Sequence, residues 1–205
     1  MLSGVSWLIT GNGSLVWGLM NNAEEVPAQN GSDSPGDSEP NELIILRPPT
    51  VADGADLWRL ARGTGVLDTN TPYAYLLWGR DFAATSVIAE VEAEPAGFIS
   101  GYLKPEAPDT LFIWQVAVDS SFRGRGLAKK MLFELVERTG AARLETTVTA
   151  DNAASIALFT ALARDHGTEL AKRPLFSEDL FPAVEESGES HAAEDLYVVE
   201  PLKTD

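Results

Sequence analysis

Residues 110–132, TLFIWQVAVDSSFRGRGLAKKML, change their period partway. From Thr110 to Val118 the residues are β-branched, aromatic or apolar, which predicts a strand. From Gly126 onward Leu127, Met131, Leu132, Leu135 and Val136 recur at helical spacing. Between the two lies DSSFRGRG. Glycines at 124 and 126 let backbone N–H groups approach a ligand without side-chain obstruction, and a helix start favours an anion. Arg123, Arg125, Lys129 and Lys130 surround that turn with no acid among them. The unit reads as strand, anion-binding turn and helix, with a diphosphate as the natural ligand. Its spacing is neither G-x-x-x-x-G-K-[ST] nor G-x-G-x-x-G. Taken alone, RGRG also fits a surface turn with solvated bases.

Upstream, LIILR (43–47) predicts a strand stopped by Pro48 and Pro49. Thr50 then caps an amphipathic helix bearing Leu57, Trp58, Leu60 and Ala61. In LDTNTPYAYLLW, Asn70 or Thr71 caps a second helix with Pro72 at its first position. The runs TSVIAEV (85–91), AGFISGYL (96–103) and TLFIWQVAV (110–118) are joined by hairpin-length links and predict an antiparallel meander. Downstream come a strand over 143–149, a helix over 151–165 capped by Asp151 or Asn152, and a last strand within 195–202. This order predicts a mixed α/β (α+β) fold with one central sheet flanked by helices.

The chain has 205 residues and a formal net charge of -16, unevenly spread. Residues 1–42 hold six acids and no Lys or Arg; residues 178–205 hold nine acids against Lys203. The middle, 43–177, has 16 acids and 14 bases and is nearly balanced. That distribution argues against nucleic acid or an anionic membrane as the partner. With no cysteine and only His166 and His191, thiolate chemistry is excluded and no metal site is expected. The apolar first twenty residues lack a basic n-region and are broken at Gly11–Gly13, so they read as neither a secretory signal nor a span. Met20 is an alternative start, and a cytoplasmic location is expected. Residues 21–42, rich in Ser, Pro, Gly and acids, read as disordered; residues 1–42 are thus an acidic extension before a domain over 43–202.

Arg123, Gly126 and Ala128 match Arg-x-x-Gly-x-Ala directly after a strand, and DNAASIALF (151–159) follows about thirty residues later. Both segments resemble the acyl-coenzyme A-binding motifs of the GNAT N-acetyltransferase superfamily. The resemblance implies that fold, acetyl-CoA as co-substrate and direct acetyl transfer to an amine. It places the diphosphate on Arg123, Gly124, Arg125, Gly126, Leu127 and Ala128. It places the pantetheine arm and thioester along the backbone of Gln115, Val116, Ala117 and Val118, an oxyanion-type stabilisation. Asn152 and Ser155 would face the coenzyme. Phe159 stands where many members carry a tyrosine general acid, so a tyrosine in that role is absent here. Homodimers are common in the superfamily, and one is expected.

Four stretches, VLDTNTPYAYLL (66–77), DTLFIWQVAVDSSFRGRGLAKKML (109–132), RLETTVTADNAASIALFTALARD (143–165) and LFPAVEESGESHAAEDLY (180–197), are similar to the diaminobutyrate acetyltransferases of ectoine synthesis. By that resemblance the acceptor is L-2,4-diaminobutyrate, acetylated at its 4-amino group. Such a substrate needs acids for its ammonium groups, an anion clamp and an aromatic wall. Asp68 is a candidate for an ammonium, Thr69 and Asn70 for orienting hydrogen bonds, and Tyr73 lies one turn into the helix. DTNTP equally suits plain helix capping. Trp114 is either sheet packing or a cation–π wall, and strand alternation puts it opposite Gln115. Glu145, an acid inside an apolar strand, either faces the site as acceptor ligand or base, or is an edge residue in water. His191, followed by Glu194, is a candidate for the substrate carboxylate. Glu145, Asp68 and Trp114 are the catalytic candidates. A GNAT enzyme for another diamine or a peptide amine, and a non-catalytic acetyl-CoA-binding module, stay open at this level.

Overall fold

The computed structural model describes residues 8–9, 15–16, 42–65, 67–182 and 191–202. Its strands are β1 (Leu8–Ile9), β2 (Leu15–Val16), β3 (Ile44–Arg47), β4 (Val87–Val91), β5 (Glu94–Lys104), β6 (Ala107–Val118), β7 (Arg143–Thr149), β8 (Leu170–Phe176) and β9 (Glu194–Val199). The helices are α1 (Gly54–Gly63), α2 (Pro72–Asp81), α3 (Leu127–Thr139) and α4 (Ala153–Asp165). All described strands join one sheet in the order β1-β2-β3-β4-β5-β6-β7-β9-β8. Neighbours are antiparallel except β6 and β7, which run parallel with α3 as their crossover. Within the acidic extension Leu8–Ile9 and Leu15–Val16 pair with each other, and β2 pairs with β3. The expected disorder of residues 21–42 falls outside the described residues except at Glu42.

Local chemistry explains the element ends. Thr50 precedes the short 3-10 turn Val51–Asp53 that leads into α1. Its N–H and hydroxyl both donate to Asp53 Oδ2, at 2.6 and 2.8 Å. Arg47 clamps the same carboxylate bidentately at 2.7 and 2.9 Å and reaches Glu90 on β4. Thr71 caps α2 with Pro72 at the first turn, where its missing N–H costs nothing. A Cβ on Gly79 would stand 2.2 Å from the Thr50 carbonyl oxygen, so only glycine lets α2 lie this close to the start of the first helical segment.

Helices cover both sheet faces. Met131, Leu132, Leu135 and Val136 of α3 and Phe159, Leu162 and Ala163 of α4 pack on Val87, Ile99, Leu111, Ile113 and Leu144. Leu57, Leu60 and Ala61 of α1 and Tyr75 of α2 pack on Ile88, Phe98 and Ala117 on the other face. Each fully buried leucine contributes about 1.5–3 kcal/mol by leaving water.

Two features depart from the sequence expectation. β8, LAKRPLF, is a strand that hydropathy does not reveal. Lys172, Arg173 and Pro174 interrupt the pattern, and a strand with an internal proline survives because it lies at the sheet edge. The second is a bulge in β6. Gln115 pairs with Ser100 but Ile113 pairs with Gly101, leaving Trp114 extra. Leu111 and Ile113 therefore face α3 and α4, whereas beyond the bulge Val116 and Val118 take that side and Ala117 faces α1 and α2. Simple alternation is corrected here: Trp114 touches Trp78 of α2, and Gln115 bonds Tyr75 of the same helix.

Candidate active site

Parallel pairing between β6 and β7 ends at Ile113 with Thr146. Among the described residues, no strand pairs with Trp114–Val118 on that edge, so its backbone groups face an opening between the two strands. The chain then turns through a 3-10 segment, Ser120–Phe122, capped by Asp119 Oδ1 accepting from Ser121 N–H at 2.8 Å. Gly124 and Gly126 follow at φ 79° and 72°, a left-handed backbone that other residues adopt only with strain. A Cβ at either position would meet nothing within 4 Å, so both border open space. α3 starts at Leu127, whose side chain is buried at 2% exposure and pins the helix start to the core. The first N–H groups of α3 have no partner inside the helix and point, with its dipole, into that space.

The cations lie around this cradle. Arg123 donates to the Val118 carbonyl at 3.3 Å. Arg125 donates to the Ser121 carbonyl, covers the Phe122 ring and pairs with Glu42 at 2.5 Å. Lys129 pairs with Asp165 of α4 at 2.5 Å, and Lys130 is exposed. Ala128 is half-buried on the helix's first turn. An open, left-handed, N–H-rich turn rimmed by cations fits a coenzyme diphosphate. Asn152 caps α4 by accepting from Ser155 N–H at 3.1 Å, which orders both residues at the start of that helix. Phe159 corrects an expectation: at 1% exposure its ring is part of the main core, so it does not present a surface to the coenzyme.

On the other side of β6 a cavity of about 860 Å³ opens between α2, the β5–β6 hairpin, β7 and the segments after β8. Its wall is aromatic. Trp78 stands 4.7 Å from Trp114 and 4.5 Å from Phe82, and Tyr102 lies 5.2 Å from Phe112. Phe176 and Phe181 close the far side, with Thr147 and Glu194 as polar groups. Among the described residues Glu194 is the one carboxylate on this wall, and it pairs with no cation there. Of the candidates predicted from sequence, Trp114 alone lines the cavity. Trp78 and Glu194 were legible only as an apolar helix residue and as a neighbour of His191.

Asp68 and His191, far apart in sequence, meet at 4.0 Å between Oδ2 and Nδ1. The His191 ring stacks on Phe181 at 5.0 Å, so this pair abuts the cavity wall. Gln115 Nε2 donates to the Asp68 carbonyl at 3.0 Å, and Tyr75 donates its hydroxyl to Gln115 Oε1 at 3.2 Å. The Gln115 side chain thus ties the loop before α2 to β6. Thr69 is exposed, Asn70 half-buried and Tyr73 65% exposed, and none reaches the cavity wall. α2 presents Trp78, not Tyr73, to the site.

Glu145 lies on the cavity face of β7, one alternation below Thr147, and is 4% exposed. Lys104 Nζ sits 2.7 Å from Oε2, and Arg143 bonds Oε1 at 2.7 and 2.9 Å while also pairing with Glu200. Burial pushes its carboxyl up, but the bonds and charges of Lys104 and Arg143 outweigh that and hold it below the usual carboxylate range. A carboxylate so engaged is a structural ion-pair centre, which corrects the reading of Glu145 as base or acceptor ligand. No group of three or more His, Cys, Asp or Glu among the described residues is arranged to hold a metal.

Residues 55–163, over half of the chain, match the model of the acetyltransferase (GNAT) family. An L-2,4-diaminobutyric acid acetyltransferase of Nocardia farcinica is 49% identical over 161 residues, covering 77% of this chain and 80% of that protein. One of Streptomyces anulatus is 47% identical over 169 residues, covering 80% and 93%. The solved diaminobutyrate acetyltransferase EctA of Paenibacillus lautus, in complex with its substrate L-2,4-diaminobutyric acid and coenzyme A, is 40% identical at a TM-score of 0.73, covering 79% of this chain and 97% of that one. The opened β6–β7 edge and the glycine turn lie inside the matched region, and the chain belongs to the GNAT acetyltransferase family, in the branch that holds these diaminobutyrate acetyltransferases.

Proposed function

We propose that this enzyme transfers acetyl from acetyl-CoA to the 4-amino group of L-2,4-diaminobutyrate, giving N4-acetyl-L-2,4-diaminobutyrate and CoA, the acetylation step of ectoine synthesis. The observation that carries the acceptor reading is the aromatic cavity whose wall begins at Trp114, the first residue of the opened β6 edge, with Glu194 also on that wall. The P. lautus relative, which binds the same diamino acid and coenzyme A, supports it.

When bound, acetyl-CoA supplies an activated thioester carbonyl and a thiol leaving group. The turn from Gly124 to Ala128 binds the diphosphate through its N–H groups and cations. Backbone groups of Gln115–Val118 orient the pantetheine arm and donate to the carbonyl oxygen as charge develops there. The aromatic wall excludes water and offers ring faces to a cationic chain. An alkylammonium, with a pKa of about 10, must lose a proton before it attacks. Glu194, in place of Glu145, is the carboxylate positioned to hold that group and accept its proton. Asp68, braced by Gln115 and paired with His191, takes the second ammonium at the rim.

The enzyme acts in the cytoplasm as a homodimer, without nucleic acid or membrane. No described helix is long and apolar enough to cross a membrane. The test is thiol release from acetyl-CoA by the purified protein with L-2,4-diaminobutyrate, ornithine or 2,3-diaminopropionate. Fastest release with diaminobutyrate and a product acetylated at N4 are expected. Coenzyme binding without release, or faster turnover of ornithine, overturns the reading.

A further inference from the structure

We propose that Arg173, on the edge strand β8, binds the α-carboxylate of the acceptor and so makes the enzyme select an amino acid over a plain diamine. This rests on the acceptor reading above. A diamino acid brings one anionic group into a cavity whose wall, among the described residues, holds no Lys, Arg or His to balance a carboxylate.

Strand register identifies the cation that does. Residues directly opposite each other in antiparallel strands share a face. Thr147 of β7 and Arg173 of β8 both stand opposite Leu196 of β9, and Thr149 and Phe176 both stand opposite Glu194. Thr147, Phe176 and Glu194 all line the cavity, so Arg173 rises from the cavity face of the sheet beside them. A register shift between Pro174 and Phe176 leaves Leu175 extra and lets both Arg173 and Phe176 take that face. Lys172, on the opposite face, is engaged by Asp195 and the Tyr197 ring.

Charge points the same way. Lys104, Arg143 and Arg173 gather around Glu145, with Glu200 on the far side of Arg143. Among the described residues three cations face two carboxylates, which leaves one positive charge. Lys104 and Arg143 spend their donors at hydrogen-bond distance on Glu145. Arg173 stays 4.0 Å from it, makes no hydrogen bond to a described residue and leaves 61% of its side chain exposed. Its planar fork matches a carboxylate bidentately, which a lysine does not. His191, the sequence candidate for this anion, stands beside the carboxylate of Asp68.

The test compares kcat/KM for L-2,4-diaminobutyrate with that for 1,3-diaminopropane, which carries the same two amines and no carboxylate. For Arg173→Met the diaminobutyrate value is expected to fall about 10- to 100-fold, mainly through KM, given the strength of hydrogen bonds to charged groups. The 1,3-diaminopropane value is expected to fall far less, and Arg173→Lys to recover part of the loss. Equal losses for both acceptors would mean that Arg173 only supports Glu145, and would overturn the proposal. A wild-type preference that survives in Arg173→Met also overturns it while leaving the acceptor reading intact. A wild-type enzyme that shows no preference for the amino acid overturns both.

Discussion

Trp114 of β6 and Trp78 of α2 stand with ring centroids 4.7 Å apart and planes inclined by 41°. Neither position is accidental. The bulge turns Trp114 toward α2, and Gly79 lets α2 approach the Thr50 carbonyl closely enough to bring Trp78 to the sheet. The two differ in burial: Trp114 is 42% exposed and Trp78 6%.

Their replacement should therefore separate binding from folding. Trp114→Ala removes a ring face from the cavity and should raise the acceptor KM about 3- to 30-fold, the range a partly desolvated cation–π contact supplies. The KM for acetyl-CoA and the melting temperature should change little. Trp78→Ala empties a buried site and should cost about 3–5 kcal/mol of stability. Steady-state kinetics on both substrates and urea titrations check the pair. A stability loss at Trp114 as large as that at Trp78 would mean that Trp114 is a core residue.

Glu145→Gln distinguishes an ion-pair centre from a base. The neutral amide leaves Lys104 and Arg143 without their shared counter-charge, and stability should drop by up to about 3 kcal/mol. The acid limb of the pH–rate profile should remain. Loss of that limb, with kcat lower by about 10²- to 10⁴-fold in protein of normal stability, would restore Glu145 as the base.

The donor half of the molecule was legible in the sequence because its signals are local. The strand–turn–helix change of period and the cap at Asn152 each lie within one short window. The acceptor half depends on partners far along the chain. The meeting of Asp68 and His191 needs β9 inserted between β7 and β8. β8 exists because β9 pairs with it; its own polar, proline-bearing sequence carries no alternation. Nor does any hydropathy pattern mark an extra residue in a run as uniformly apolar as FIWQVAV, so the face of Trp114 was beyond reach. Glu145 shows the same limit: an acid in an apolar strand announces a partner, but not whether that partner is a substrate or Lys104.

Gly126 tests the donor site. At φ 72° a side chain is strained by about 1–2 kcal/mol although the surrounding space is open. Gly126→Val should lower stability by about that amount and place bulk in the proposed diphosphate site. The KM for acetyl-CoA should rise at least about tenfold, and the acceptor KM should stay within about twofold. Isothermal titration with CoA checks binding apart from turnover; unchanged CoA affinity would remove the turn from the donor site.

Asp53 links the first helical segment to the sheet, and its ionisation should be visible in acid stability. Hydrogen bonds from Arg47, then from Thr50, prevail over burial and hold its carboxyl at about 2, against 3.8 for a free side chain. A folded-state value below the unfolded one means that the unfolded chain takes up the proton first as pH falls. The stabilisation is complete above about pH 4, is eroded as pH drops through the interval down to about 2, and is constant across neutral pH. Asp53→Asn keeps the shape but loses the charge that Arg47 clamps at 2.7 and 2.9 Å, a change worth on the order of 2 kcal/mol. Urea midpoints should then differ by a fixed amount from about pH 7 to pH 5, and the gap should narrow as pH falls toward 2. Comparing the two proteins cancels the titration of every other carboxylate. A gap near zero at every pH would show that Arg47 is held mainly by Glu90 and that Asp53 is dispensable to the junction.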